Sequence, residues 1–370
     1  MLRITQGVPT MERLPLETQT LYAEFLDQLV AMHARRTIGL APGCFTTKTV
    51  KGETYYYFQY SDPGGVSRQA YVGKKSVALE KVVASYEQDR SIQAADLERL
   101  HRLCAQLRVG NALPTDPASS RILKALAESG VFHLGGVLVG THAFTVYGNL
   151  LGTRWDSAFL KTQDIDIAGQ ARLGIAVPDL QVNVPEVLEN LQMGFLPVPS
   201  LNRKEPSTSF KVRGQSVRVD FLTPAQGMRR EGTVFISRLG VAAQALKFLD
   251  YLLEAHIPAG IIDGGGVLVN VPDPARYAFH KLLLSRSRTV GSQMKAEKDL
   301  YQAIQLIDVL VEDRPGDLSL AWDGLRQRGR SWTQPIGTAL AAQAKRHPGL
   351  IDRLVTSVPL LKESLPVSPQ

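Results

Sequence analysis

Asp164 and Asp166 stand two positions apart in "TQDIDIA". In an extended chain, residues two apart share a face, so both carboxylates project to one side while Ile165 and Ile167 project to the other. Carboxylates this close repel and raise each other's pKa unless a cation neutralises them. A third acid, Asp220, sits in "VRVDFL", where Val217, Val219 and Phe221 alternate with Arg218 and Asp220. If this strand lies beside the first, Asp220 joins the same acidic face. Three carboxylates suit hard, oxygen-preferring Mg²⁺ or Mn²⁺, and a pair of such ions can align a nucleophile and a leaving group for phosphoryl transfer. The expected metal ligands are therefore Asp164, Asp166 and Asp220, with two ions as cofactors.

Upstream, "GGVLVGT" (135–141) reads as a strand running into a helix. Exposed N–H groups at such a helix start receive phosphate, Gly140 permits close backbone approach, and Thr141 offers a hydroxyl. Together these residues resemble the nucleotidyltransferase superfamily that includes DNA polymerase beta, and most closely its bacterial minimal and abortive-infection-type branch. That signature is a glycine followed by glycine, serine or threonine at a strand-to-helix turn, then an Asp-x-Asp strand, then a third acid on a neighbouring strand. Here these are Gly140-Thr141, Asp164-Ile-Asp166 and Asp220. Further matches are "VPDPARYAFHKLLLSR", with Lys281, and "KAEKDLYQA", with Lys298 and Asp299. The likeness spans roughly residues 131–310. The interval from Gly140 to Asp164 exceeds the family's usual spacing, and "TRWDSAFLK" reads as an insertion there.

The resemblance implies metal-dependent transfer of a nucleoside monophosphate from an NTP to a hydroxyl, with pyrophosphate released. Asp164, Asp166 and Asp220 would be catalytic, and Gly140, Thr141 and Lys281 would contact the nucleotide. Asp299 is expected to be a helix-surface partner of a neighbouring base. The acceptor stays open among an RNA or tRNA 3′ end, a protein side chain and a small molecule. The rival reading is a non-catalytic nucleic-acid-binding or regulatory protein that keeps the fold, as half of a toxin–antitoxin or defence system.

The elements that must position these groups follow from periodicity. Residues 16–36 carry Leu21, Phe25, Leu29 and Met32 at helical intervals. Between 44 and 73 the period changes to two, and "KGE" and "DPGG" separate three β-rich runs, which reads as a small antiparallel sheet. Alternation puts Tyr55, Tyr57 and Gln59 on one side of it and Tyr56, Phe58 and Tyr60 on the other, so one set is expected to be core. Its tyrosines and lysines make nucleic-acid binding an expectation, and its pattern resembles the arm-binding sheets of phage-type integrases. Helical patterning follows to Gly110. From 131 strand, helix and strand alternate, "PEVLENLQMG" reads as a helix, "TSFKVRGQSVRVDFL" as a hairpin and "DGGG" as a hairpin turn, and helices return after 273. The fold class expected is α/β (α+β), with a mixed-sheet nucleotidyltransferase core. The parts are an N-terminal helical and β-hairpin module over 1–111, the catalytic core over 112–240, and a mostly helical region over 241–370 that closes the nucleotide site.

Composition agrees with a folded chain that favours polyanions. Of 370 residues, 44% are hydrophobic and 21% charged, and the 42 Lys and Arg outnumber 35 Asp and Glu to give +7. Cys44 and Cys104 are too few for a disulfide framework, and His133, His142 and His280 lack metal-ligand spacing. No signal peptide or membrane span is read, so a cytoplasmic location is expected.

Overall fold

In the computed structural model, residues 12–37, 43–61, 67–155, 162–170, 181–200, 205–225, 232–287 and 293–366 are described. The segment "TRWDSAFLK" lies largely outside them.

The chain begins with β1 (Glu12–Arg13) and α1 (Leu16–Thr37). Phe25, Leu29 and Met32 bury one stripe of this helix, as their spacing predicts, with Tyr22 beside them. Next come β2 (Cys44–Val50), β3 (Glu53–Ser61) and β4 (Ser67–Lys74), an antiparallel three-stranded sheet. Helix α2 (Val77–Val109) is one unbroken run of 33 residues. The Ser76 side chain caps its start by accepting from the Leu79 N–H. Phe25, Leu29, Leu100, Leu103 and Leu107 form a satellite core between α1 and α2, with Ile262 beneath.

Helix α3 (Pro117–Glu128), capped by Asp116, leads into β5 (Val137–Val139) and α4 (Gly140–Leu150). The strand expected from residue 131 is only three residues long, because 131–135 form turns instead. After β6 (Thr153–Arg154), which pairs with β1, come β7 (Asp164–Ala168), α5 (Val184–Asn190), β8 (Phe195–Pro197), β9 (Ser209–Val212) and β10 (Arg218–Pro224). Then follow β11 (Thr233–Ile236), β12 (Val241–Leu246), α6 (Leu249–Leu253), and the hairpin of β13 (His256–Ile261) and β14 (Val267–Pro272), whose turn holds "DGGG". Helices α7 (Pro274–Ser287), α8 (Gln293–Asp313), α9 (Pro315–Gln327), α10 (Arg330–Gln343) and α11 (Pro348–Ser357) complete the described chain.

The described strands include a mixed seven-stranded sheet running β11-β12-β10-β7-β5, with β9 attached to β10 and β8 to β9. Strand β10 is its hub. It pairs in parallel with β7 on one side, while on the other its first half pairs antiparallel with β9 and its second half in parallel with β12. Strands buried on one face only should alternate apolar and polar residues. Ile165, Ile167, Val219 and Phe221 are accordingly buried, while Asp166 and Asp220 are half-buried and Asp164 is exposed. One continuous apolar core runs from Ile122 in α3, through this sheet, to Leu361 beyond α11. Helices α7 and α8 therefore pack as part of the same body as the sheet.

Candidate active site

Parallel pairing of β7 with β10 sets Asp164 opposite Arg218 and Asp166 opposite Asp220. The three acids anticipated from sequence thus lie on adjacent strands and share a face. On the other flank of β7, Val139 pairs with Asp166, so the chain leaves β5 at the level of this carboxylate and turns into α4. Gly140 makes that turn. Its φ is +67°, and a Cβ there would overlap the Asp166 carboxylate, so the position demands glycine on two counts. Helix α4 has no side-chain N-cap hydrogen bond, and Thr141 is buried in its first turn.

Crowding marks Asp166 electrostatically. Burial pushes its carboxyl up to about 6, and the charges of Asp220 and Asp164 add to the rise while Lys281 and Arg218 oppose it. Asp220 is partly compensated: it accepts a 2.8 Å hydrogen bond from Arg218 Nε and another from the Ser209 hydroxyl, to which Arg218 Nη2 also donates at 2.8 Å.

The C-terminal helices supply the remaining groups. Tyr277 of α7 donates its hydroxyl proton to the Gly140 carbonyl at 2.7 Å and so pins the turn from outside the sheet. One helical turn on, Lys281 pairs with Asp299 of α8 at 2.6 Å, and both side chains are buried. Burial opposes the Lys281 charge, but Tyr277, Asp299 and Asp166 more than offset it and hold the pKa above the usual lysine value. One expectation changes accordingly. Asp299 is not a surface residue but the buried partner of a cation, because α8 turns this position against α7. Lys281 is 8% exposed, with its ammonium engaged by Asp299. Half-buried Lys298 is the more accessible base beside it. Burial and the nearby Lys281 lower its pKa, while Asp299, Asp164 and Asp166 attract its charge.

Residues 118–327 match a family model described as nucleotidyltransferase. The chain belongs to that nucleotidyltransferase family. The match spans all the residues named here, from the Gly140 turn to Asp299. Among solved structures, the chain is similar to an antigenic nucleotidyltransferase-like protein from Paracoccidioides brasiliensis, with 12% identity over 66% of this chain and 96% of that chain and a TM-score of 0.35. No curated protein matches it. As a nucleotidyltransferase chain it carries three polar groups at the site beyond the expected site residues: Ser209, Arg218 and Tyr277. Arg218 was visible as the alternate of Asp220, but Ser209 and Tyr277 reach the site only through tertiary packing.

Whether these residues suit a divalent cation follows from their chemistry. The donors are hard carboxylate oxygens, and the negative charge of Asp220 and Asp164, which adds to the effect of burial on Asp166, is what a cation would relieve. Among the described residues no three acidic, His or Cys side chains are already gathered as a cage. Asp220 is engaged by Arg218 and Ser209, so it would have to exchange those partners for the ion.

Proposed function

We propose that the protein transfers a nucleoside monophosphate from an NTP to a hydroxyl acceptor, releasing pyrophosphate. The observation that carries this reading is the register that sets Asp166 level with Asp220 while the Gly140 turn closes against it. Asp164, Asp166 and Asp220 would hold Mg²⁺ or Mn²⁺, which when bound neutralises triphosphate charge. The amides at the start of α4, with Thr141, receive the phosphates, and Lys298 adds a cation at the same opening. Lys281 stays behind Asp166 and limits the repulsion among the acids. Asp220 takes the proton from the acceptor oxygen as that oxygen bonds to the α-phosphorus and the bond to pyrophosphate breaks. Positioning and charge complementarity supply the rate enhancement.

The test is a labelling reaction with each α-phosphate-labelled NTP, offered Mg²⁺ or Mn²⁺, total RNA and total cell protein. Wild type is run beside an Asp164→Ala, Asp166→Ala variant. Label that requires the acids supports transfer, and its migration shows the acceptor class. Equal labelling by both proteins, or no NTP binding by wild type, would sink the proposal.

A further inference from the structure

The outer face of the β2–β3–β4 sheet takes no part in this chemistry. Its two sides are sorted by register. Phe45 pairs with Phe58, and both rings meet Tyr86 of α2 edge-on, at 5.2 and 5.6 Å between centroids, so this is the side that packs inward. Tyr55 and Tyr57 point the other way. A bulge in β4 then alters the alternation: Tyr71 faces Tyr57 and Lys74 faces Tyr55, which brings two residues three apart onto one side. The result is an outward cluster in which the Tyr71 ring lies 6.2 Å from Tyr55 and 5.6 Å from Tyr57. The Lys48 ammonium sits 4.8 Å from the Tyr57 centroid, and Tyr71 is 60% exposed.

We infer that this face binds single-stranded RNA. Aromatic rings left in water on a sheet surface are costly as a monomer's own feature, yet they stack on unpaired bases of any sequence. The charge fits the backbone such bases hang from. On this face Lys48 and Lys74 both stand opposite Tyr55, with Lys74 also paired to Glu53 at 2.7 Å, and the segment 44–75 as a whole carries five cations against Glu53 and Asp62. A duplex hides its ring faces, so this surface suits unpaired strands. Beside the rings runs a row of neutral hydrogen-bonding groups, in which Gln59 donates to Ser67 at 2.9 Å and Gln69 to Gln59 at 3.4 Å. Such amides and hydroxyls can exchange partners with a ribose 2′-OH, which favours RNA over DNA.

Fluorescence anisotropy tests this on the full chain without NTP, using a labelled oligouridylate, the matched oligothymidylate and an RNA duplex. The uridylate should bind. Tyr57→Ala and Tyr71→Ala should each weaken it by about fivefold or more, as expected for loss of one stacked base. Tyr71→Phe, which keeps the ring, should bind within about twofold of wild type, and Lys48→Gln should make the salt dependence shallower. The Asp164→Ala, Asp166→Ala protein should bind RNA like wild type, so failure here and failure of nucleotidyl transfer are separately visible. No uridylate binding, tighter binding of duplex or thymidylate, or undiminished affinity in a Tyr55→Ala, Tyr57→Ala, Tyr71→Ala protein with wild-type circular dichroism would each overturn the inference.

Discussion

Asp166 is where pH should act first. A carboxyl whose folded pKa lies above its unfolded value gains a proton on folding, so its ionisation opposes the folded state. With a folded value of about 6 against an ordinary 3.8, the penalty is absent below the unfolded value, grows as pH rises, and is complete above about 6. Asp166→Asn should therefore raise the thermal midpoint above that pH, by a gain of about 1–3 kcal/mol, and lose the advantage in acid. Nucleotidyl transfer should show the opposite demand. At limiting metal concentration, where the proton competes with the cation for this carboxylate, it should fall as pH drops through about 6 in wild type, and it should be abolished in the asparagine variant at every pH, as read by the labelling assay. Gly140→Ala should cost about 2–4 kcal/mol in denaturant unfolding, from positive φ and the overlap with Asp166 together. Asp164, Asp166, Asp220 and Gly140 were all legible in the sequence, because period-two alternation and a strand-to-helix glycine are local signals. Arg218 beside Asp220 was legible too, two residues away on one strand face, but the Ser209 hydrogen bonds to both were not, since Ser209 is brought there by a hairpin whose register a sequence does not state.

Within an element, the two faces of β7 should respond differently. Ile167→Ala empties a fully buried site and should cost about 2–5 kcal/mol, whereas Asp164→Ala, on the exposed face, should change stability by less than about 0.5 kcal/mol while removing activity. Between elements, the Lys281–Asp299 pair ties α7 to α8. Lys281→Met should cost about 3–5 kcal/mol in urea unfolding because it strands a buried carboxylate, and adding Asp299→Leu should recover much of the loss. Helical periodicity located α7 and α8, but could not say which face each turns inward. That is why Asp299 read as a surface residue: in isolation "KAEKDLYQA" is mostly polar, and only packing against α7 buries it.

Across the whole molecule, the core that begins in α3 and ends near Leu361 makes the sheet and the C-terminal helices cooperative. The β2–β4 sheet belongs to neither apolar cluster. Replacing it with a short linker should leave a single thermal transition near that of the full chain and unchanged NTP binding, as calorimetry and titration would show. Mixed α/β character was readable from the order of patterned segments; the sharing of one core between sheet and terminal helices was not, because contacts between residues so far apart in the chain leave no periodic trace. Among the described residues no helix is long and apolar enough to cross a membrane.

The hydrogen bond from Tyr277 to the Gly140 carbonyl also has a temporal meaning. During synthesis the three acids and the glycine turn emerge well before the tyrosine that pins that turn and the lysine that tempers those acids. A nascent or truncated chain thus holds the three carboxylates without the parts that organise them, and the proposed site is complete only once the late helices have docked.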